Sequence, residues 1–179
     1  MKIQNLNFLE ILFTPYAIIN GLYVDDWMEL IKNRELIARM NPYTAVKSMK
    51  GIAYNKMAAL KHRFEGKIAI IDKYGYDPKQ LHHIKRIEDY LERYIVGEPY
   101  VDCLYPKDPE YLMMIKRGEL NEMVATEVAN EAMEHIDKMA DEFCERTKPE
   151  VNQEVVELLN SVQASIVKKS LIRELQNEA

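Results

Sequence analysis

The sequence predicts a mainly α-helical protein, a compact helical domain with at most a short β element and a C-terminal amphipathic helix. Three observations carry this. Apolar residues recur at three- and four-residue spacing over most of the chain, the period of a helix with one buried side. Asp-Pro and Asn-Pro steps, with isolated glycines, punctuate the chain at helix-length intervals. Hydrophobic residues make up 47% of the 179, enough for a core without covalent staples. This length fits one domain, read as residues 1–148, followed by a helical arm over 149–179.

The elements follow in order. "NFLEILFTPYAII" is densely apolar and reads as either a strand or a buried helix until Pro15 interrupts it. "VDDWMELIKNRELIARM" reads as one helix capped by Asp25 or Asp26, with Trp27, Leu30 and Ile31 on its apolar side. Pro42 suits the first turn of a long helix to about His62, whose buried stripe is Val46, Met49, Ala53, Met57 and Leu60. A shorter helix is expected over 66–74, ended by Gly75. Asp77-Pro78 then caps a helix with Leu81, Ile84, Ile87, Leu91 and Ile95 on one side. "GEPYVDCLYPKDPEY" is extended and proline-bounded, and residues 100–105 are its strand candidate. Asp108-Pro109 caps a short helix stopping at Gly118, and 121–146 read as a long acidic helix closed by Lys148-Pro149. Residues 150–176 form the last amphipathic helix, with Val151, Val155, Leu158, Val162 and Ile166 as its stripe.

Composition narrows the function. Cys103 and Cys144 form no framework and no Cys-x-x-Cys pair, so reduced thiols are expected. No leader and no apolar run of spanning length is seen, so the expected location is cytoplasmic, with no membrane partner. Eleven tyrosines against four phenylalanines and one tryptophan suit half-wet positions. The net charge of −5 hides an asymmetry: residues 1–96 hold fifteen Lys/Arg against eleven Asp/Glu, and the rest nine against eighteen. Between 47 and 86, ten basic residues meet only Glu65, Asp72 and Asp77. Overall acidity argues against a general DNA coat, while the local block permits a phosphate-bearing partner.

That block has helical order. In "YGYDPKQLHHIKRIEDYL", residues 74–91, the residues Lys79, His83, Arg86 and Tyr90 fall on one stripe away from the apolar one. Lys47, Lys50, Tyr54 and Lys61 flank the buried side of the helix that begins at Pro42. Two such stripes side by side make a cationic wall, with arginine as a fork, lysine as a point charge and tyrosine as a stacking or donor group. His83 brings pH sensitivity. The competing interpretation is two ordinary solvated helix faces.

The same stretch resembles predicted nucleotidyltransferases of the DNA polymerase β superfamily, found in bacteria and phages. The family's stretch reads roughly Tyr-Gly-Tyr-Asp-x-Lys-x-x-x-His-x-x-Arg-Leu, and Tyr74, Gly75, Tyr76, Asp77, Lys79, His83 and Arg86 match it in order. "NFLEILFTP", "GIAYNKMAALK" and "DPEYLMMIKRGEL" resemble flanking segments more loosely, so the likeness covers residues 5–122. It implies a substrate-contacting helical half with Lys79, His83 and Arg86 as phosphate contacts. The family's Gly-Ser and Asp-x-Asp elements, which hold two metal ions around a triphosphate, have no counterpart: Asp25 and Asp26 are adjacent and no Gly-Ser pair occurs.

No catalytic, metal or cofactor site is therefore expected. His82 and His83 are neighbours on a helix, His135 sits on an acidic one, and all six glycines are isolated. The expected function is a non-catalytic, phage-related binding protein that engages nucleic acid or a nucleic-acid-handling protein. One version is an inhibitor of a host defence nuclease that works through the acidic helices. Two alternatives stand beside it: the substrate-binding half of a split nucleotidyltransferase, and a structural protein that dimerises through the C-terminal stripe. Phosphate contacts are assigned to Lys47, Lys50, Tyr54, Lys79, His83, Arg86 and Tyr90, and partner contacts to Val151, Val155, Leu158, Val162 and Ile166.

Overall fold

The computed structural model describes residues 9–177, and among these there is no β-strand. Among the described residues, nine α-helices follow two 3-10 turns: α1 Val24–Lys32, α2 Arg34–Ala38, α3 Pro42–Ala59, α4 Ile68–Tyr74, α5 Pro78–Ile95, α6 Tyr100–Cys103, α7 Pro109–Lys116, α8 Glu122–Arg146 and α9 Gln153–Asn177. The mainly helical class is what the periodicity predicts. The chain divides into two compact units, Tyr43–Lys148 and a second made of Met1–Pro42 with Pro149–Ala179. The sequence reading set 149–179 apart as an arm; it falls instead with the first forty-two residues. No helix among the described residues is long and apolar enough to cross a membrane.

In the Tyr43–Lys148 unit, α5 is the central element and packs most extensively on α8 and α7. Its start is set locally. Asp77 accepts from the backbone N–H of Lys79 at 3.0 Å, and Pro78 occupies the first turn. Leu81, Ile84, Ile87 and Leu91 are buried as the apolar stripe predicts, while Ile95 is half-buried. The facing side of α8 is built from Ala125, Ala129, Ala132 and Ala140 with Met133 and Ile136. Small side chains there let the two backbones approach closely. Asn121 caps α8 by accepting from Val124 N–H at 3.0 Å.

Four local expectations are corrected. Residues 100–105 form no strand: with no neighbouring strand to complete a ladder, the segment closes one helical turn, and Asp102 and Cys103 N–H donate to the Pro99 carbonyl. The 24–40 segment is two helices, because the Asn33 side-chain amide donates to the Glu29 carbonyl at 2.9 Å and competes with the continuing turn. Asp25 and Asp26 lie in the first turn of α1 and neither caps it. Helix α3 ends at Ala59 rather than near His62, since the Leu60 carbonyl accepts from Asp77 N–H at 2.8 Å, and Met57 is only half-buried. Of the ambiguous first segment, Asn7 and Phe8 lie outside the described residues, and Glu10–Phe13 form a 3-10 turn.

In the other unit, α9 packs against α1. Asp26, 8% exposed, pairs with Lys169 at 2.7 Å. Hydrogen bonds from Lys169 and Ser165 hold its carboxyl below the ordinary carboxylate value. The Asn152 N–H donates to the Met40 carbonyl at 2.8 Å and ties the two chain segments together. Of the predicted α9 stripe, Val155 and Val162 are buried, Val151 and Leu158 half-buried, and Ile166 exposed.

Candidate cationic site

The structure sends the predicted phosphate residues to three different places. Lys50 and Tyr54 turn toward α8, where Asp137 and Asp141 lie one turn apart. Lys50 Nζ is 2.7 Å from Asp141 and 3.0 Å from Asp137, and the Tyr54 hydroxyl donates to Asp137 at 2.6 Å. The Asp141 hydrogen bond leads in raising the Lys50 pKa above its ordinary value, and the bond to Asp137 does the same for Tyr54. Lys61 is likewise held by Glu122 at 2.7 Å. This flank of α3 is a seam between basic and acidic helices. Lys47 stays exposed beside the Tyr43 ring, 5.6 Å from its centroid.

Arg86 and Tyr90 serve the interior of the unit. The Arg86 guanidinium donates to the carbonyls of Cys103 and Leu104 and lies 3.5 Å from Asp89, so it ties the end of α6 to α5. Tyr90 does not share a solvated stripe with Lys79, which corrects the sequence expectation. It is 5% exposed, stacks on Tyr94 at 5.4 Å and meets Tyr100 edge-on at 6.1 Å. Burial pushes its hydroxyl pKa far up. Much of the Tyr-Gly-Tyr-Asp motif is accounted for in the same way. Gly75 adopts φ +79 at the end of α4, Tyr76 is buried with its hydroxyl donating to the Leu120 carbonyl, and Asp77 caps α5 while pairing with Lys67 at 2.7 Å.

Lys79 and His83 remain, and the fold gives them company. Lys56 from the opposite flank of α3 lies close enough to His83 for its charge to act on that ring, as do Lys79 and His82. Lys116, at the end of α7, and Arg86 act in the same way on His82. The two imidazoles meet edge-on with centroids 5.6 Å apart. Lys79 and Lys116 are exposed, and Lys56 and both histidines are half-buried. Among the described residues no carboxylate pairs with Lys56, Lys79 or Lys116. Burial, and then these cations, pushes both imidazoles below their ordinary value of 6.5, with Asp77 opposing the shift at His83. Lys56 of α3 thus lies within charge range of His83, and Lys116 of α7 within charge range of His82.

Lys56, His82 and Lys116 were not among the predicted residues. Lys56 lies six residues beyond Lys50, and only its nearness to His83 of α5 gives it a role. Lys116 joins through the fold and carries no sequence signal.

Elsewhere in this unit, a cleft of about 200 Å³ lies beside α5, lined by Glu88, Asp89, Glu92, Lys107 and Tyr111 among others. His135 lies behind it, with Nδ1 2.9 Å from Glu88. An open depression of about 1010 Å³ runs along α8 past Glu122, Glu127, Glu131 and Glu134. Among the described residues no three His, Cys, Asp or Glu side chains are grouped to hold a metal ion. Nor does comparison with known proteins add an assignment: no family model, curated protein or solved structure matches the chain.

Proposed function

We propose that this is a non-catalytic binding protein that engages the phosphate backbone of nucleic acid, free or within a nucleic-acid-handling assembly, through the face of Lys56, Lys79, His82, His83 and Lys116. The observation that carries this reading is the contrast within one basic block. Lys50 and Lys61 are satisfied by α8 carboxylates, whereas Lys56, Lys79 and Lys116 have no acidic partner among the described residues. Holding like charges together costs free energy until an anion compensates them, so an uncompensated cluster is matched to one. Lysine heads supply point charges, and the histidine N–H groups add directed donors. Point charges of this kind suit contact with phosphate.

The test is fluorescence anisotropy with a labelled single-stranded oligonucleotide across a salt series. Three lysine contacts give a slope of log K against log salt of about −2. The triple change Lys56→Ala, Lys79→Ala and Lys116→Ala should abolish most of that slope. Lys50→Ala, which removes a cation already spent on Asp141, should leave it. A slope near zero in the wild type, or a triple variant that binds like it, overturns the reading.

A second reading has its own observation. Glu127, Glu131 and Glu134 run along the outer side of α8, exposed and without ion-pair partners among the described residues. Spaced by four and three residues, they form an acidic strip suited to a basic channel on a nucleic-acid-handling protein. Reversing all three to lysine distinguishes the readings: it should leave oligonucleotide affinity intact or raise it, and should abolish capture of a basic partner.

A further inference from the structure

We infer that this protein forms a symmetric dimer in which α1 and the C-terminal half of α9 of one copy pack against α9 and α1 of a second. The inference is independent of the phosphate reading and concerns the other compact unit, Met1–Pro42 with Pro149–Ala179.

Helix α1 is amphipathic, yet its apolar stripe is not what it buries. Val24, Trp27, Met28 and Ile31 recur at the three- and four-residue spacing of one helix side. Val24 is 41% and Met28 57% exposed, while Trp27 and Ile31 are half-buried. The buried residue of α1 is instead Asp26, which pairs with Lys169 of α9. Helix α9 is apolar on two sides. Val155 and Val162 are buried on one; on the opposite side Val167, Leu171 and Leu175, each four residues from the next, are 51%, 53% and 68% exposed. From Leu171 to Asn177 every residue is exposed, about two helical turns carrying Leu171, Ile172 and Leu175 into solvent. A helix apolar on both sides is matched to burial on both. The two open surfaces are continuous: Leu22, just before α1, and Ile172 line one groove of about 350 Å³, with Lys169 and Arg173 beside them.

The charges around this surface select a second copy as the occupant. On α1, Asp25 and Glu29 are exposed one turn apart. On α9, Lys168 and Arg173 are exposed, and Lys168 neighbours Leu171 and Ile172 at helical spacing. Among the described residues none of these four charges has an ion-pair partner. Within the chain, α1 meets α9 through Asp26 and Lys169, which leaves the four open. A two-fold axis that brings α1 of each copy to α9 of the other forms both acid–base matches at once, and the surface is self-complementary as an isologous contact requires. Pairing α1 with α1, or α9 with α9, would set like charges together.

Sedimentation equilibrium of the full chain over a concentration series tests this. The expected result is a reversible species of twice the 21.0 kDa chain mass. Met28→Glu with Leu171→Glu should give a monomer with the wild-type circular dichroism spectrum, because both side chains are exposed within one copy. Lys168→Glu with Arg173→Glu should weaken dimerisation about tenfold or more, and Asp25→Lys with Glu29→Lys should do the same. Mixing these two charge variants in equal amounts should restore the dimer, since each supplies the sign the other lacks; this readout decides the matter even if the glutamate pair disturbs folding. A wild-type chain that stays monomeric at every concentration would overturn the inference, whatever other protein or lipid surface covers the stripes. So would a defined mass above the dimer, a dimer that survives Met28→Glu with Leu171→Glu, or charge variants that associate like the wild type.

Discussion

Gly118→Ala should cost far more stability than Gly97→Ala, although the backbone conformation is nearly the same at the two sites. Both lie in the left-handed region, with φ +74 and φ +83. A side chain there costs roughly 1–2 kcal/mol relative to glycine. The lost freedom of the unfolded chain returns about 0.4–1 kcal/mol, equally at both. The surroundings differ. A Cβ at Gly97 meets nothing within 4 Å, while at Gly118 it would lie 2.5 Å from Tyr74 Cε1, 2.7 Å from Cδ1 and 3.0 Å from Cζ. An aromatic ring cannot bend away as a lysine tip can, so the ring or the backbone must shift, at about 1–3 kcal/mol. The expected difference between the variants is therefore about 1–3 kcal/mol, read as a shift of the urea midpoint at constant slope. Tyr74→Ala in the Gly118→Ala background should recover the difference and show strong non-additivity. Equal losses at the two glycines would refute the reasoning. The contact also bears on the cationic face, since it braces the end of the helix that carries Lys116 against the turn leading to Lys79. Gly118→Ala should weaken oligonucleotide binding where Gly97→Ala does not.

Two further outcomes are expected. Acidification should destabilise the protein well before its carboxylates protonate. His82 and His83 have folded pKa values below 6.5, so the unfolded chain binds the extra protons; their contribution is complete above 6.5 and is lost as pH falls through the lowered values. Asp26 and Asp77 are shifted below 3.8, and their contribution fades only beneath that value. The melting temperature should therefore drop between pH 7 and pH 5, and His82→Gln with His83→Gln should remove much of the drop; a flat profile would contradict the burial of these rings. On α9, Val155→Glu places a charge at a position 2% exposed and should cost about 3 kcal/mol or more, whereas Ile166→Glu, at 37% exposed, should cost under about 1 kcal/mol. Equal melting temperatures for the two would show that the α9 stripe is not packed.

Much of the fold is legible because its signals are local. Asp77-Pro78, Asp108-Pro109 and Asn121 each open a helix where their side chains reach back to a nearby N–H, and Gly75, Gly97 and Gly118 take the positive φ that follows a helix. The misses share one cause. Asn33 ends α1 with a side chain that also fits a helix surface, and residues 100–105 have β-prone side chains with no strand to pair with. The grouping of α9 with the N-terminal helices depends on Asp26 meeting Lys169, a contact 143 residues apart that no window of sequence contains.

The site is harder to read because helical periodicity says which side chains share a stripe, not what faces that stripe. Lys50 and Tyr54 form a sound cationic stripe in isolation, and α8 answers it with Asp137 and Asp141 at the spacing of one turn. Charge balance over the whole chain is the sequence signal of this: the basic block and the acidic half are near-complements, and the strongest local charges are those a folding chain neutralises first. The informative cations are the ones left over. Lys56 and Lys116 are unremarkable lysines in sequence, and they matter because their charges act on His83 and His82 while neither lysine is paired with a carboxylate among the described residues. Burial first, and then such neighbours, make this histidine pair costly to charge, so stability alone does not account for the lysines around it. An anion does.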